Sequence, residues 1–401
     1  MSAWASVQLG DVSEFVRGIN FKPEDVIPVG SPGSVACMRT KNVQAELDLS
    51  DVWGVGESFV KRTDQLLRHG DILVSSANSW NLVGKCCWVP ELPWRATFGG
   101  FVSVLRPDRA KVDPRFVFRW FASDRMQVTV RSFGQQTTNI SNLNIGRCLN
   151  LSFPLPPLPE QRRIAGVLDR ADELRAKRRA ALAQLDTLTQ AIFLEMFGDP
   201  ATNPKGWPVA ALADLCTIAG EYGAGVASKD YDPNLPRYVR ITDITDDGGL
   251  TPQPVSPSGP TRDWECYELR PGDVLFARSG ATVGKTYLHR ESNGACVFAG
   301  YLIKFRPNAA RLLPEFLFHY TQSAAYRSWV LVRQRVVAQP NINAQQYGRE
   351  MLIPVPTLEF QREFTRRVAA VEKLRTAQRA SLAEMDALFA SLQHRAFRGE
   401  I

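Results

Sequence analysis

At 401 residues the chain is long enough to bury two or more cores, and with 44% apolar and 22% charged residues its composition is that of a soluble globular protein. The formal charge of +7 leans toward an anionic partner, nucleic acid first, but the basic residues form no single block, which excludes a polybasic tail. No apolar run approaches the ~18 residues of a membrane span and no secretory leader opens the chain, so a cytoplasmic protein with no membrane partner is expected.

In chain order, the first globular portion (residues 4 to about 153) reads as short strands such as Asp71-Ile72-Leu73-Val74 and Phe101-Val102-Ser103-Val104-Leu105, bounded by Gly, Pro, Asn and Asp. A helix follows from Pro114 to Phe121. A Pro-rich hinge, Phe153 to Pro159, then leads into a proline-free stretch from Glu160 to Phe197, with Glu160 in the first turn and Gly198 as its stop. Ile164, Leu168, Ala171, Leu182, Leu185, Ile192 and Met196 follow the alternating spacing of a coiled-coil seam. Arg175 and Arg178 fall on that seam, so either the pairing loosens there or Leu174 takes over.

About 200 residues on, the plan recurs. Val83-Gly84-Lys85 becomes Val283-Gly284-Lys285, Phe98-Gly99-Gly100 becomes Phe298-Ala299-Gly300, and Gln161-Arg162 becomes Gln361-Arg362. Strands are expected at Asp273 to Phe276 and Tyr301 to Phe305, a helix from Pro314 to Tyr320, and a second hinge at Ile353 to Thr357. A second long helix runs from Leu358 to Phe397, its seam marked by Phe364, Val368, Val371, Leu382, Met385 and Leu392, with Gly399 as its stop. Each helix would span roughly 57 Å at 1.5 Å per residue. Two matching apolar stripes of this length favour antiparallel pairing over separate packing of each helix on its own module. The fold class is α+β: two similar α/β domains joined by two long antiparallel helices that form a coiled coil, with a pseudo-twofold internal repeat.

The stretch Pro156-Pro157-Leu158-Pro159-Glu160-Gln161-Arg162-Arg163-Ile164-Ala165, with Phe193-Leu194-Glu195-Met196-Phe197-Gly198, resembles the specificity subunit of type I restriction-modification systems (the HsdS family). So do Arg270-Pro271-Gly272-Asp273-Val274-Leu275 with Gly280-Ala281-Thr282-Val283-Gly284-Lys285, and the pair Thr137-Thr138-Asn139-Ile140 and Gln339-Pro340-Asn341-Ile342-Asn343. The second hinge departs from the pattern, since Thr357-Leu358-Glu359-Phe360-Gln361 lacks the second proline. The resemblance implies a target-recognition domain over 1–153, a conserved hinge and long helix over 154–200, a second recognition domain over 201–353, and a C-terminal hinge and helix over 354–401. It also implies double-stranded DNA as ligand, with two methyltransferase (modification) subunits and restriction (translocase-nuclease) subunits as partners. S-adenosylmethionine, and ATP with magnesium, would sit on those partners, so this chain is expected to need no cofactor.

The residues themselves offer no chemistry. The only adjacent prolines, Pro156-Pro157, lack the flanking residues of an adenine methyltransferase motif, and Ser279 stands where a P-loop would need glycine. The seven cysteines make no C-x-x-C pair and the four histidines are isolated, so reduced thiols and no metal site are expected. Base-reading groups instead crowd two polar segments: Arg131, Gln135, Gln136, Thr137, Thr138 and Asn139 in the first half, and Arg333, Gln334, Arg335, Gln339, Asn341 and Asn343 in the second. Arg suits guanine and Asn or Gln suits adenine. Ser76 and Asn78, with Arg278 and Ser279, are the next candidates. Lys85 and Lys285 suit phosphate, and Arg39, Lys41 and Arg240 are placed near DNA or in structural ion pairs. The six arginines between Arg162 and Arg179 form either a solvated face or a partner or DNA-backbone surface. A coiled-coil scaffold joining two proteins without reading DNA is the rival reading; a self-contained methyltransferase is a weaker one.

Overall fold

The computed structural model describes residues 4–136, 140–334 and 341–401. By their contacts the residues fall into two units, Met1–Arg179 with Ala380–Ile401, and Ala180–Arg379. Each unit therefore holds one globular module and half of each long helix.

In the first unit, strands Ser13–Arg17, Val102–Pro107, Ile72–Ser75 and Cys86–Trp88 form an antiparallel sheet in that spatial order. Val104 pairs with Val16 on one side and Leu73 on the other, and all three are buried. A second sheet, Val26–Ile27, Trp53–Gly56, Ser34–Met38 and Ala96–Phe98, is antiparallel except for its last pairing. Helix α1 (Pro114–Phe121) opens with a proline, its N-terminal amides capped by Asp113, and buries Phe116, Val117, Trp120 and Phe121. Helix α2 (Asp124–Arg131) and the short α3 (Ile145–Leu149) follow. Strand Ala5–Gln8 pairs with Ser152–Leu155 and so closes the module at the hinge.

The second unit repeats the main sheet with Cys216–Tyr222, Leu302–Pro307, Val274–Ala277 and Thr286–Leu288. Its helices are α5 (Pro314–Tyr320) and α6 (Ala324–Gln334), the equivalents of α1 and α2. The second sheet is reduced to separate pairs, Ser228–Asp230 with Val255–Pro257 and Arg237–Val239 with Cys296–Phe298. The long helices α4 (Leu158–Phe197) and α7 (Leu358–Ala396) lie within a residue or two of the expected bounds. Gly198, at φ +80°, ends α4 directly; α7 ends three residues ahead of Gly399.

Three repeated motifs acquire physical reasons. Gln161 is fully buried: its Oε1 accepts from the Asp113 amide at 2.8 Å while its Nε2 donates to the Pro156 carbonyl at 2.8 Å. Gln361 does the same with the Leu313 amide and the Pro356 carbonyl, both at 2.8 Å. This glutamine fastens the start of each long helix to its module, and the altered second hinge leaves the fastening intact. Gly84 and Gly284 adopt φ of +81° and +87°, and a Cβ there would meet a Val130 or Val330 methyl within 2.7 Å, so the Val-Gly-Lys turn lets the sheet approach α2 and α6. Asp71 and Asp273, of the Gly-Asp pairs, each hold a sheet arginine, Arg106 and Arg306, in a bidentate ion pair.

The helices pair antiparallel in both units. In the first, Arg175 on α4 donates to Asp386 on α7 at 2.6 Å and lies over the Phe389 ring. In the second, the repeat-equivalent Arg375 on α7 reaches Asp186 on α4 at 3.3 Å, and Phe193 packs edge-on to Phe364. Leu174 does not replace Arg175 in the seam: it is 56% exposed, whereas the Arg175 side chain is 16% exposed. Its guanidinium stays because a carboxylate and an aromatic face on the opposing helix both satisfy it.

The contact between module and long helix also differs between the copies. In the first unit Arg119 of α1 reaches Asp169 and Asp172 on α4 at 2.6 and 2.8 Å. The equivalent in α5 is His319, buried edge-on to Phe364 with its Nε2 unpartnered. Burial, with Arg290 and Arg375 adding to it, pushes this imidazole down to about 3 from 6.5. The unfolded chain therefore binds this proton below pH 6.5 and the folded chain does not, so its stabilising contribution is complete above pH 6.5 and shrinks as pH falls toward 3. We expect His319→Phe to lose about 2 kcal/mol less than the wild type between pH 7 and pH 5 in urea unfolding. Equal losses would show that this imidazole does not govern the acid response.

Candidate nucleic-acid interface

In the first unit, the chain leaves the main sheet at Ser75 and pairs again at once. Ala77–Asn78 joins Ser141–Leu143, which joins Gly134–Gln136. Gln135 stands opposite Asn142 and Ser141 opposite Asn78, so two segments about 60 residues apart share one small sheet. Ser76 ties it together: its carbonyl accepts from the Leu143 amide at 2.8 Å and its amide donates to the Phe101 carbonyl at 3.0 Å. Gln135 and Gln136 are exposed and Asn78 half-buried, its Nδ2 donating to Ser75 Oγ at 3.0 Å. Trp80 and Leu82 are exposed beside them in the following turn.

The second unit builds the same junction from different side chains. The Arg278 amide donates to the Tyr301 carbonyl at 3.1 Å, and its carbonyl accepts from the Ile342 amide at 2.9 Å. Ser279 forms an antiparallel bridge with exposed Asn341. The Arg278 guanidinium lies 4.9 Å over the Tyr222 ring, whose hydroxyl accepts from the Ala344 amide at 3.1 Å. Its Nε is buried without a partner, and among the described residues Arg278 makes no ion pair. An arginine oriented by an aromatic face, with its fork uncommitted, is suited to an acceptor pair supplied by a ligand.

A second cluster recurs in both units, and there the cations are engaged. Arg39 stacks on Trp53 at 3.6 Å and pairs with Asp51 at 3.1 Å, Lys41 reaches Asp51 at 2.6 Å, and Lys85 donates to Gln44 at 2.6 Å. Hydrogen bonds from Lys41 and Arg39 hold the Asp51 carboxyl below its usual range. In the second unit Arg240 pairs with Asp243 and Lys285 with Asp246, both at 2.8 Å.

Residues 1–184 match the family model of the type I restriction modification DNA specificity domain. The chain is 22% identical to the StySPI specificity subunit of Salmonella potsdam and 24% identical to the EcoKI specificity subunit of Escherichia coli K12, in both cases over 99% of this chain and 89% of the relative. Residues 1–184 thus match a type I DNA specificity domain, and over nearly its whole length the chain is similar to type I restriction enzyme specificity subunits. Its fold is also that of solved structures: a chain from a study of complex assembly and conformational transition of a type I R-M system (TM-score 0.59, 21% identity, 99% of this chain and 98% of that one), and the type I S subunit of M. genitalium (TM-score 0.57, 14% identity, 98% and 96%).

Of the expected contacts, the structure gathers Ser76, Asn78, Gln135 and Gln136 in one junction, and Arg278, Ser279 and Asn341 in the other. Other expected contacts have different surroundings. Arg131, Arg333 and Gln334 lie at helix ends and not in loops, because the 3.6-residue spacing of Tyr326 and Val330 buries α6 against the sheet. Arg333 lies 3.8 Å over Trp329 and pairs with Glu350 at 2.9 Å, and Gln334 donates to the Val283 carbonyl. Asn343 caps the turn Gln346–Glu350 by accepting from the Gln346 amide at 2.9 Å. Arg131 has a buried, unpartnered Nε. Thr137, Thr138, Asn139, Arg335 and Gln339 lie outside the described residues. Sequence reasoning missed three aromatic members, Phe101, Tyr222 and Tyr301. The repeat alignment of Phe101 with Tyr301 was the available signal. No helix among the described residues is long and apolar enough to cross a membrane, and all seven cysteines are free thiols.

Proposed function

We propose that this chain is the DNA-reading subunit of a type I restriction-modification complex. Each unit reads one half of a split, asymmetric site, and the paired helices set the unread spacer and dock two methyltransferase subunits. The observation that carries this reading is one junction built twice with different readers: Asn78, Gln135 and Gln136 in one copy, Arg278 and Asn341 in the other. Amide side chains suit adenine and a free guanidinium suits guanine, so the two halves are read differently. The paired cations around Asp51 and Asp243 serve the phosphate backbone, where a point charge is enough. The chain has no catalytic role. S-adenosylmethionine belongs to the methyltransferase partners, and ATP with magnesium to a translocase-nuclease partner, all in the cytoplasm.

Removing seven residues from both helices takes out about 10 Å of paired helix, or about three base pairs. We expect deletion of one heptad from the α4 and α7 segments that face each other to shorten the methylated site's spacer by about that amount with both half-sites unchanged. An unchanged spacer would refute the ruler. Binding that is indifferent to DNA sequence and to salt would favour the scaffold reading.

A further inference from the structure

Between the polar segments of each junction sits a tight turn that the polar reading does not use. Val102 donates its amide to the Gly99 carbonyl and Leu302 donates to Ala299, each at 2.9 Å, which closes the turns Gly99–Val102 and Ala299–Leu302. Phe101 and Tyr301 occupy the same place in these two turns. Their carbonyls bond the Ser76 and Ala77 amides in one unit and the Arg278 amide in the other. On the far side, Gly99 bridges Ile19 and Ala299 bridges Ala224. The backbone that carries each ring is thus held from both sides, while the two residues are 60% and 61% exposed and, among the described residues, their rings pack on no other ring.

A single exposed aromatic needs no explanation. Here the exposure recurs at one position in two diverged copies, beside residues that differ between the copies. We infer that Phe101 and Tyr301 are the apolar members of the two reading junctions, each laying one rigid ring against the bases of its own half-site. The inference rests on the reading of the junctions as DNA surfaces. A ring carries contact area with only two side-chain torsions to fix, and it can meet groove features such as the thymine methyl that Asn, Gln and Arg cannot recognise. Phe101 carries no hydroxyl at this position, so the Tyr301 hydroxyl is expected to be dispensable.

The test is competition binding of the full chain, in its methyltransferase complex, to the duplex bearing its methylated site and to duplexes altered in one half-site or scrambled. Phe101→Ala is expected to weaken cognate binding about tenfold or more and to blunt discrimination in the first half-site only. Tyr301→Ala should do the same in the second, and Tyr301→Phe should stay within about twofold of wild type. Phe101→Leu, which keeps apolar volume on the same turn, should fall between, and unchanged thermal midpoints would show that the variants fold. Two results overturn the inference while leaving the DNA reading intact: both alanine variants binding within about twofold of wild type while Arg278→Ala relaxes the second half-site, or equal weakening on cognate and scrambled DNA. If the wild-type complex itself cannot tell cognate from scrambled duplex, the DNA reading fails and the inference with it.

Discussion

Asp71→Ala is expected to lower the unfolding free energy by about 3–5 kcal/mol, the range for removing one partner of a buried ion pair. Asp71 and Arg106 are 3% and 9% exposed at their side chains, and the guanidinium meets the carboxylate through Nε at 2.8 Å and Nη2 at 2.7 Å. Its Nη1 and Nη2 also donate to the Asp64 and Leu66 carbonyls at 2.9 Å, so the arginine cannot swing out to water without breaking those bonds as well. The truncation leaves a buried cation with no counter-charge. The equivalent Asp273→Ala should cost less, about 2 kcal/mol, because Arg306 is 23% exposed and can turn toward solvent. Replacing both partners together, Asp71→Ala with Arg106→Met, should recover much of the loss. Urea unfolding of the three variants checks the order; equal losses at the two sites would mean that burial of the arginine does not set the cost.

The second large effect is on reading. Arg278→Ala is expected to reduce discrimination in the second half-site by up to about 3 kcal/mol, roughly 100-fold, while the first half-site keeps its stringency. Among the described residues Arg278 has no carboxylate partner, and an aromatic face orients it. Arg39, Arg240 and Arg333 are all paired, with Asp51, Asp243 and Glu350, and their removal should be felt more in stability than in specificity. Arg278→Lys should not restore discrimination, since an ammonium lacks the planar fork that meets two acceptors at once. Competition binding against duplexes altered in one half-site reads the effect. Weakening that is equal on every sequence would make Arg278 a phosphate contact.

The two long helices were the most legible part of the chain. Proline-rich hinges, proline-free stretches and the spacing of Ile164, Leu168, Phe364 and Val368 encode helix and seam locally. The strands at Ile72–Ser75 and Val274–Ala277 were legible to within one residue for the same reason, since each short apolar run follows a Gly-Asp pair. The helices α2 and α6 were not, because Arg131, Arg333 and Gln334 look like loop readers until Val130 and Val330 are seen buried against Gly84 and Gly284. Asn343 likewise looked like a base reader and serves as a cap. The candidate site was legible as a set of segments but not as a set of partners. Ser76 with Leu143, and Arg278 with Tyr301 and Ile342, join positions that only the folded chain makes neighbours. Which cations are free was also invisible, because Asp51 and Glu350 neutralise residues 10 to 17 positions away in sequence.

The most direct measurement is single-molecule methylome sequencing of cells that express this chain with the methyltransferase partner proposed for it. The expected result is one split motif with an adenine methylated in each half, in which substitutions in the first unit's junction relax only one half and substitutions in the second relax only the other. A contiguous motif, or a split motif in which Arg278→Ala and Gln135→Ala relax the same half, would contradict the assignment of one junction to each half-site.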